Sequence, residues 1–472
     1  MEELLTSILT PLNNFVWGPV MLVLLVGTGV YLNIGLKLYP FRNWFAAYKC
    51  LWDGRKHQSD HGEISPWNAL MTAIAADIGT GNIVGVATAI AIGGPGALFW
   101  MWVTGMVGMM TKFCEVMLAV KYREKTEAGN WVGGCMYFIK NGLSKKWHWM
   151  ATMFAIFGMT AACLGIGGMV QANAIATNIN TTFGVSNWVT CAVLLVLAGI
   201  VLVGGVKRIG AVAGKLVPAM AIFYVLFCLF IICTHIEQVP GVFVWVVTDA
   251  FTPTAATGGF AGASIMLAIR MGVARGIFSN EAGLGTAPMA HAASTAESPL
   301  VQASIGMLDV FIDTIIVCSM TGFVILIATV TPEVAAELDN PAVHAGDPLW
   351  CSGVSGGKLS ALAFSTLLGQ VGAWGVTIAL SLFAFTTSMG WCVYGERCAI
   401  YLFGDWIMKP YRVIFSVVMA AGAVMTLDLA WLIADTANAL MAIPNLIGIL
   451  LLSPMLFKYV REETAKDPRF KV

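Results

Sequence analysis

The chain has 472 residues, 58% hydrophobic and only 11% charged, with 26 basic and 26 acidic side chains that cancel to no formal net charge. A water-soluble domain carries roughly a quarter of its residues charged, so the composition excludes an ordinary soluble protein and points to a polytopic membrane protein. Nucleic acid is excluded as a partner, because neutralising phosphates takes a clustered excess of Lys and Arg.

Read from the amino terminus in windows of about 20 apolar residues, the chain offers eleven spans: 14–36, 66–92, 96–120, 149–180, 187–206, 211–233, 263–290, 303–330, 360–391, 412–428 and 431–457. The start lacks the basic segment and small-residue cleavage site of a signal peptide, so the first run is expected to stay as a membrane helix. Basic residues gather at Lys37 to Lys56, Lys121 to Lys146, Lys207 to Lys215, Arg397 to Arg412 and Lys458 to Lys471, all on one side of the alternating count. By the positive-inside rule that side is cytoplasmic, which puts the amino terminus outside and the carboxyl terminus inside. The opposite loop at 331–358 is acidic, with Glu333, Glu337, Asp339 and Asp347.

Setting the first span aside leaves ten, divisible as five plus five, and an odd number per half inverts the second copy relative to the first. The expected units are residues 1–65 (leading helix and cytoplasmic loop), 66–233 (first repeat), 234–457 (second repeat) and 458–472 (cytoplasmic tail). Each half opens with an interrupted span: Asp77-Ile78-Gly79-Thr80-Gly81-Asn82 in the first, Gly272 to Gly283 in the second. Matching interruptions in inverted halves are the sequence mark of a substrate site near the bilayer midplane.

At the first interruption, glycines permit an unwound backbone whose freed N–H groups suit a substrate carboxylate and whose freed carbonyls suit a bare cation. Asp77 either balances a substrate ammonium or ion, or caps the following half-helix and pairs with a basic side chain. Gln171 and Asn173 follow the pliable run Gly165-Ile166-Gly167-Gly168, where an amide reaches either a ligand or a neighbouring helix.

The second interruption holds Arg275 and Glu281, which pair as a gate or merely neutralise each other. Phe278 closes over a small ligand or simply packs, while Ser279 and Asn280 offer hydrogen bonds at the turn. Asp309 and Asp313 share one helix face, so a proton or cation relay is open there. Lys112 and Glu115, three apart, are expected to pair structurally. In the ninth span Thr386, Thr387 and Ser388 precede Trp391; their hydroxyls bond to the preceding turn or converge on a sodium ion.

Most of the eleven cysteines lie singly in apolar runs and form no Cys-x-x-Cys motif, as small hydrophobes do. His57 and His61 have helical spacing but no accompanying ligands, so a metal site is not expected. Phosphate loops, nucleophile elbows and zinc signatures are absent from the sequence, and no enzymatic activity is expected.

Four segments in order are similar to the alanine or glycine:cation symporter family: Ser65-Pro66 leading to Gly79-Thr80-Gly81-Asn82-Ile83-Val84-Gly85, Gly93-Gly94-Pro95-Gly96-Ala97, Val170-Gln171-Ala172-Asn173, and Arg275-Gly276-Ile277-Phe278-Ser279-Asn280-Glu281-Ala282-Gly283. The resemblance covers nearly the whole chain. It implies an all-α, inverted five-plus-five fold of the leucine-transporter type with two broken helices and one extra leading helix. It also implies import of alanine or glycine coupled to Na⁺, without an organic cofactor, across the plasma (inner) membrane of a prokaryote. Carried over residue by residue, it has Thr80, Gly81 and Asn82 receive the substrate carboxylate, with Asp77, Gln171 and Phe278 around the ammonium and Cα. Ser279 and Asn280 complete the turn and Trp391 closes the pocket. The sodium ligands it implies are the carbonyls of Ala75 and Ile78 and the hydroxyls of Thr386 and Thr387. The rival readings are a proton-coupled amino acid transporter, a passive small-solute facilitator, and a membrane-embedded enzyme or receptor.

Overall fold

The computed structural model describes residues 2–56, 62–251, 261–338, 340–425 and 428–471, so His57 and His61 lie outside the described residues. Within that part the chain is helical apart from loops and one pair of two-residue strands, Glu124–Lys125 with Trp131–Val132. It opens with α1 (Glu2–Val16) and α2 (Pro19–Gly35), bent by 41°. Pro19 has no N–H to join the two into one helix. The single leading span expected at 14–36 is therefore the second arm of a bent pair. A short helix, α3 (Trp44–Asp53), follows.

Ser65 starts α4 (Pro66–Asp77): its hydroxyl accepts the Asn68 N–H at 3.2 Å, and Pro66 occupies the first turn, where no intrahelical donor is needed. The helix stops at Asp77. A π-helical turn, Gly81–Gly85, then leads into α5 (Val86–Gly93), and the two arms lie at 47°.

Next comes α6 (Gly96–Lys121), a central pillar in which every residue from Gly108 to Val120 is buried. The expected fourth span is two helices, α7 (His148–Leu164) and α8 (Met169–Phe183), parted at Gly165 to Gly168. They are followed by α9 (Asn187–Leu202), α10 (Gly205–Thr234) and α11 (Val239–Asp249). The last was not among the expected spans. Its Asp249 Oδ2 accepts the Gly96 N–H at 2.8 Å, a carboxylate at the positive end of α6.

The second interruption lies further along than its glycines suggested. Helix α12 (Ala261–Asn280) stays intact through Gly272 and Gly276 and opens only beyond Asn280, where Glu281, Gly283 and Gly285 take φ of 54°, 95° and 80°. Gly272 serves packing instead: a Cβ there would lie 2.4 Å from the Ala97 carbonyl oxygen of α6. A one-turn helix, Pro288–His291, ends the segment.

The chain continues through α13 (Pro299–Val310), a π-helical stretch at Phe311–Cys318 and α14 (Ser319–Ile327). The last three helices are α15 (Gly356–Phe403), kinked at Gly369, then α16 (Met408–Gly422) and α17 (Asp428–Lys466). By length and composition, six helices among the described residues are able to cross a bilayer, or eight with each bent pair counted as one span. Helix α9, at 16 residues, is too short to be counted with them.

The two ends of the bundle differ. At the end rich in basic residues, Arg397 Nη2 meets Glu63 Oε1 at 3.3 Å, Arg412 Nη2 meets Glu396 Oε1 at 3.2 Å, and the Trp131 N–H donates to Glu63 at 2.7 Å. At the other end an open cavity of about 780 Å³ lies between α8 and the first part of α15 and reaches Val84.

Candidate functional site

At the end of α4 the helical hydrogen-bond ladder changes partners. Ile78 leaves the helix at φ −75° and ψ 97°, and the Gly79 N–H donates to Asn82 Oδ1 at 2.8 Å. A continuing helix would have given that N–H to Ala75. The Ala75 carbonyl thereby loses its helical partner at the midpoint of a membrane-length segment.

The second interruption comes directly against the first. A Cβ on Gly81 would lie 3.1 Å from Ser279 Cα and 3.3 Å from Phe278 Cδ1, so only glycine permits this approach. Asp313, from the π-helical stretch, binds both: its Oδ1 accepts from Asn82 Nδ2 at 2.6 Å and from Ser279 Oγ at 3.0 Å, and its Oδ2 accepts from Thr314 Oγ1 at 2.8 Å. Asn280 Nδ2 donates to Thr314 Oγ1 at 2.9 Å. A buried carboxylate with three donors is well satisfied, so Asp313 works here as a clasp between the two breaks.

Helix α15 packs on the same region. Thr387 Oγ1 donates to the Ile78 carbonyl at 3.2 Å and to Phe383 O at 3.0 Å, whereas Thr386 Oγ1 turns to Phe383 O at 2.9 Å and to Met220 Sδ at 3.4 Å on α10. Ala75, Ile78 and Thr387 are thus brought together. Thr386 does not join them in this structure, because consecutive helical residues point about 100° apart. A Cβ on Gly79 would sit 2.2 Å from Thr387 Oγ1. Gly79→Ala is accordingly expected to displace Thr387 and to abolish uptake while leaving the protein inserted, which surface expression measured beside transport will check.

The Gln171 side chain reaches the break from α8: its Nε2 donates to Thr80 Oγ1 at 3.2 Å and to Ile166 O at 2.8 Å, and its buried Oε1 has no partner within the protein. Trp391 is fully buried, with an unpartnered indole N–H, and its Cβ would lie 2.4 Å from a Cβ on Gly167 in the same loop. Asn173, by contrast, points away and donates to the carbonyls of Gly422 and Met425.

The charged residues arrange themselves differently from the expected pairs. Lys112 Nζ lies 3.0 Å from Asp77 Oδ2 and 3.3 Å from Asp309 Oδ2, with all three side chains 0% exposed. Asp77 is therefore not a free carboxylate awaiting an ammonium group: a lysine on α6 already balances it, leaving only Oδ1 without a hydrogen bond. Glu115 does not pair with Lys112 but takes Asn445 Nδ2 and the Gly283 N–H. Glu281 accepts from Thr286 Oγ1 instead of Arg275, whose guanidinium lies 5.6 Å from the Phe278 ring. Asp309 and Asp313, expected to act as one relay, serve two separate groups.

The comparisons with known proteins bear on what this arrangement is for. A family model described as the sodium:alanine symporter family matches residues 1–469. The chain belongs to that family. It is 43% identical to the sodium/alanine symporter AgcS of Methanococcus maripaludis, over 98% of this chain and 99% of that one. An uncharacterized transporter of Haemophilus influenzae is 44% identical over 97% of this chain and 95% of its own. The probable sodium/glutamine symporter GlnT of Bacillus subtilis is 34% identical over 100% of this chain and 94% of its own. The protein is a multi-pass membrane transporter and not an enzyme.

Sequence reading did not anticipate three features of this transporter. Lys112 as the partner of Asp77 was hidden because the two are 35 positions apart; the only signal was that each is an ionisable residue deep in a span. The Glu63, Arg397, Glu396 and Arg412 network was visible only as charges near span ends. Tyr394, whose buried hydroxyl has no partner and lies within electrostatic range of Asp77, Glu281 and Asp309, had no sequence mark.

Proposed function

We propose that this transporter is a secondary active symporter that imports a small neutral amino acid, alanine or glycine, with Na⁺. The observation that carries the reading is the buried meeting of two interrupted helices at Gly81 and Ser279. There unpaired backbone, an orphan amide acceptor at Gln171 and an orphan indole donor at Trp391 suit the two ends of a zwitterion. Thr80, Gly81 and Asn82 receive the carboxylate, and Gln171 Oε1 accepts from the ammonium. Phe278, Ser279, Asn280 and Trp391 bound the small side chain. Asp77 enters this reading through Lys112, as the anchor that sets where α4 ends.

The Na⁺ ion, as co-substrate, fits the carbonyls of Ala75 and Ile78 with the Thr387 hydroxyl; Thr386 completes the set only by turning away from Met220. Hard oxygen donors from an unwound backbone suit such a cation. The cavity beside Val84 is the outer access route, and the Glu63 and Arg397 contact is the closed inner end, so the two are expected to alternate. This reading includes eleven spans, an inverted five-plus-five repeat after the leading helix, an outer amino terminus and a cytoplasmic carboxyl terminus in a prokaryotic plasma membrane.

Proteoliposomes are the direct test. Labelled alanine or glycine should accumulate above equilibrium only under an inward Na⁺ gradient. Equal accumulation driven by H⁺ without Na⁺ would replace the coupling ion, and uptake that never exceeds equilibrium would make the protein a facilitator.

A further inference from the structure

Helix α3 exposes the wrong residues for a helix in water. Ala47, Cys50 and Leu51 are its buried positions, while Phe45, Tyr48 and Trp52 share the outward face, Phe45 being 87% exposed. Aromatic rings at three- and four-residue spacing on an outer face belong at a membrane interface. The surrounding segment, 36–56, carries Lys37, Arg42, Lys49, Arg55 and Lys56 against the single acid Asp53.

Beside α3 opens an apolar groove of about 670 Å³, with Phe41 and Phe45 at its lip. Trp102, Met106 and Met109 form one wall. Their spacing of four and three puts them on one face of α6, so the groove runs along the helix axis for about 10 Å. Phe311 and Ile315 belong to the facing wall. The walls are anchored: Trp102 Nε1 donates to Ser319 Oγ at 2.8 Å, and Trp44 meets Phe311 edge-on at 4.4 Å between ring centres.

We infer that this groove binds one acyl chain of an anionic phospholipid, with the headgroup against Arg42 and Lys49 at the lip. A shaft without charged side chains, laid along a membrane helix and basic at one end, complements such a lipid in both shape and charge. Soluble ligands call for convergent polar groups, and this groove offers little beyond Ser319. The bound chain lies against the Phe311–Cys318 stretch, which carries the Asp313 clasp, so its occupancy bears on the scaffold of the candidate site. The inference depends on membrane embedding alone and stands whether or not the substrate reading does.

Native mass spectrometry of the full-length protein from nanodiscs of phosphatidylglycerol and phosphatidylcholine tests it without any transport measurement. Wild type should retain phosphatidylglycerol in preference, and the Arg42→Gln/Lys49→Gln variant should lower that preference roughly 30-fold, two surface bases' worth. Met106→Trp and Ile315→Trp should lose both lipids, since Met106 is 41% exposed and a larger ring there enters the groove and not the core. Helical content measured on each variant separates this from misfolding. Unchanged retention in both tryptophan variants overturns the site, and retention without headgroup preference overturns the lipid class. A dimer that dissociates in Met106→Trp assigns the face to a second copy of the chain and overturns it as well.

Discussion

Lys112→Met is expected to be among the most damaging single substitutions in this transporter, costing about 3–5 kcal/mol of stability. Methionine fills nearly the same volume, so the loss is electrostatic: Asp77 and Asp309 would be left facing each other, both fully buried, without the ammonium that lies 3.0 and 3.3 Å from them. Removing one partner of a buried ion group leaves an uncompensated charge, whereas removing the whole group is often nearly neutral. The triple variant Lys112→Met/Asp77→Asn/Asp309→Asn should therefore recover most of the lost stability. Thermal unfolding in detergent, followed by size-exclusion fluorescence, separates the cases. If Lys112→Met melts with wild type, the triad does not hold α4, α6 and α13 together. Asp77→Asn then tests the older expectation: unchanged substrate affinity in a folded protein leaves the residue with a structural role.

The second large effect concerns sodium. Thr387→Val keeps the shape of the side chain and deletes the hydroxyl that contacts Ile78 O at 3.2 Å. A hydrogen-bonding or coordinating oxygen facing a charge contributes about 1.5–3 kcal/mol, so the Na⁺ concentration for half-maximal uptake should rise at least about tenfold. Thr386→Val should change it far less, because that hydroxyl is directed at Met220. The opposite ranking would place the ion on the other face of α15 and overturn the assignment of Ala75 and Ile78.

These two expectations show where the sequence was readable and where it was not. Composition and basic clustering were enough for a multi-pass membrane transporter, and the motifs were enough for the family. Breaks in two spans were equally legible, since glycine and polar residues within an apolar run conflict with an uninterrupted helix in lipid. The position of the second break was less so. Gly272 and Gly276 look like helix breakers in sequence but are there to let α12 lie close against α6, and the chain actually opens at Glu281. Local composition cannot distinguish a glycine used for flexibility from one used for close packing.

What the sequence determined by itself was therefore everything that follows from local chemistry: the apolar spans, the unwound turn at Gly79 to Asn82, and the candidacy of Gln171, Ser279, Asn280 and Thr387. Only the tertiary structure decided the partners. It gave Asp77 to Lys112, Asn82 and Ser279 to Asp313, and Glu115 to Asn445, and it turned Thr386 away from Thr387. The physical reason is that a buried charge or amide must be satisfied by whichever group packing brings within about 3 Å. That distance is set by how the helices cross and not by spacing along the chain.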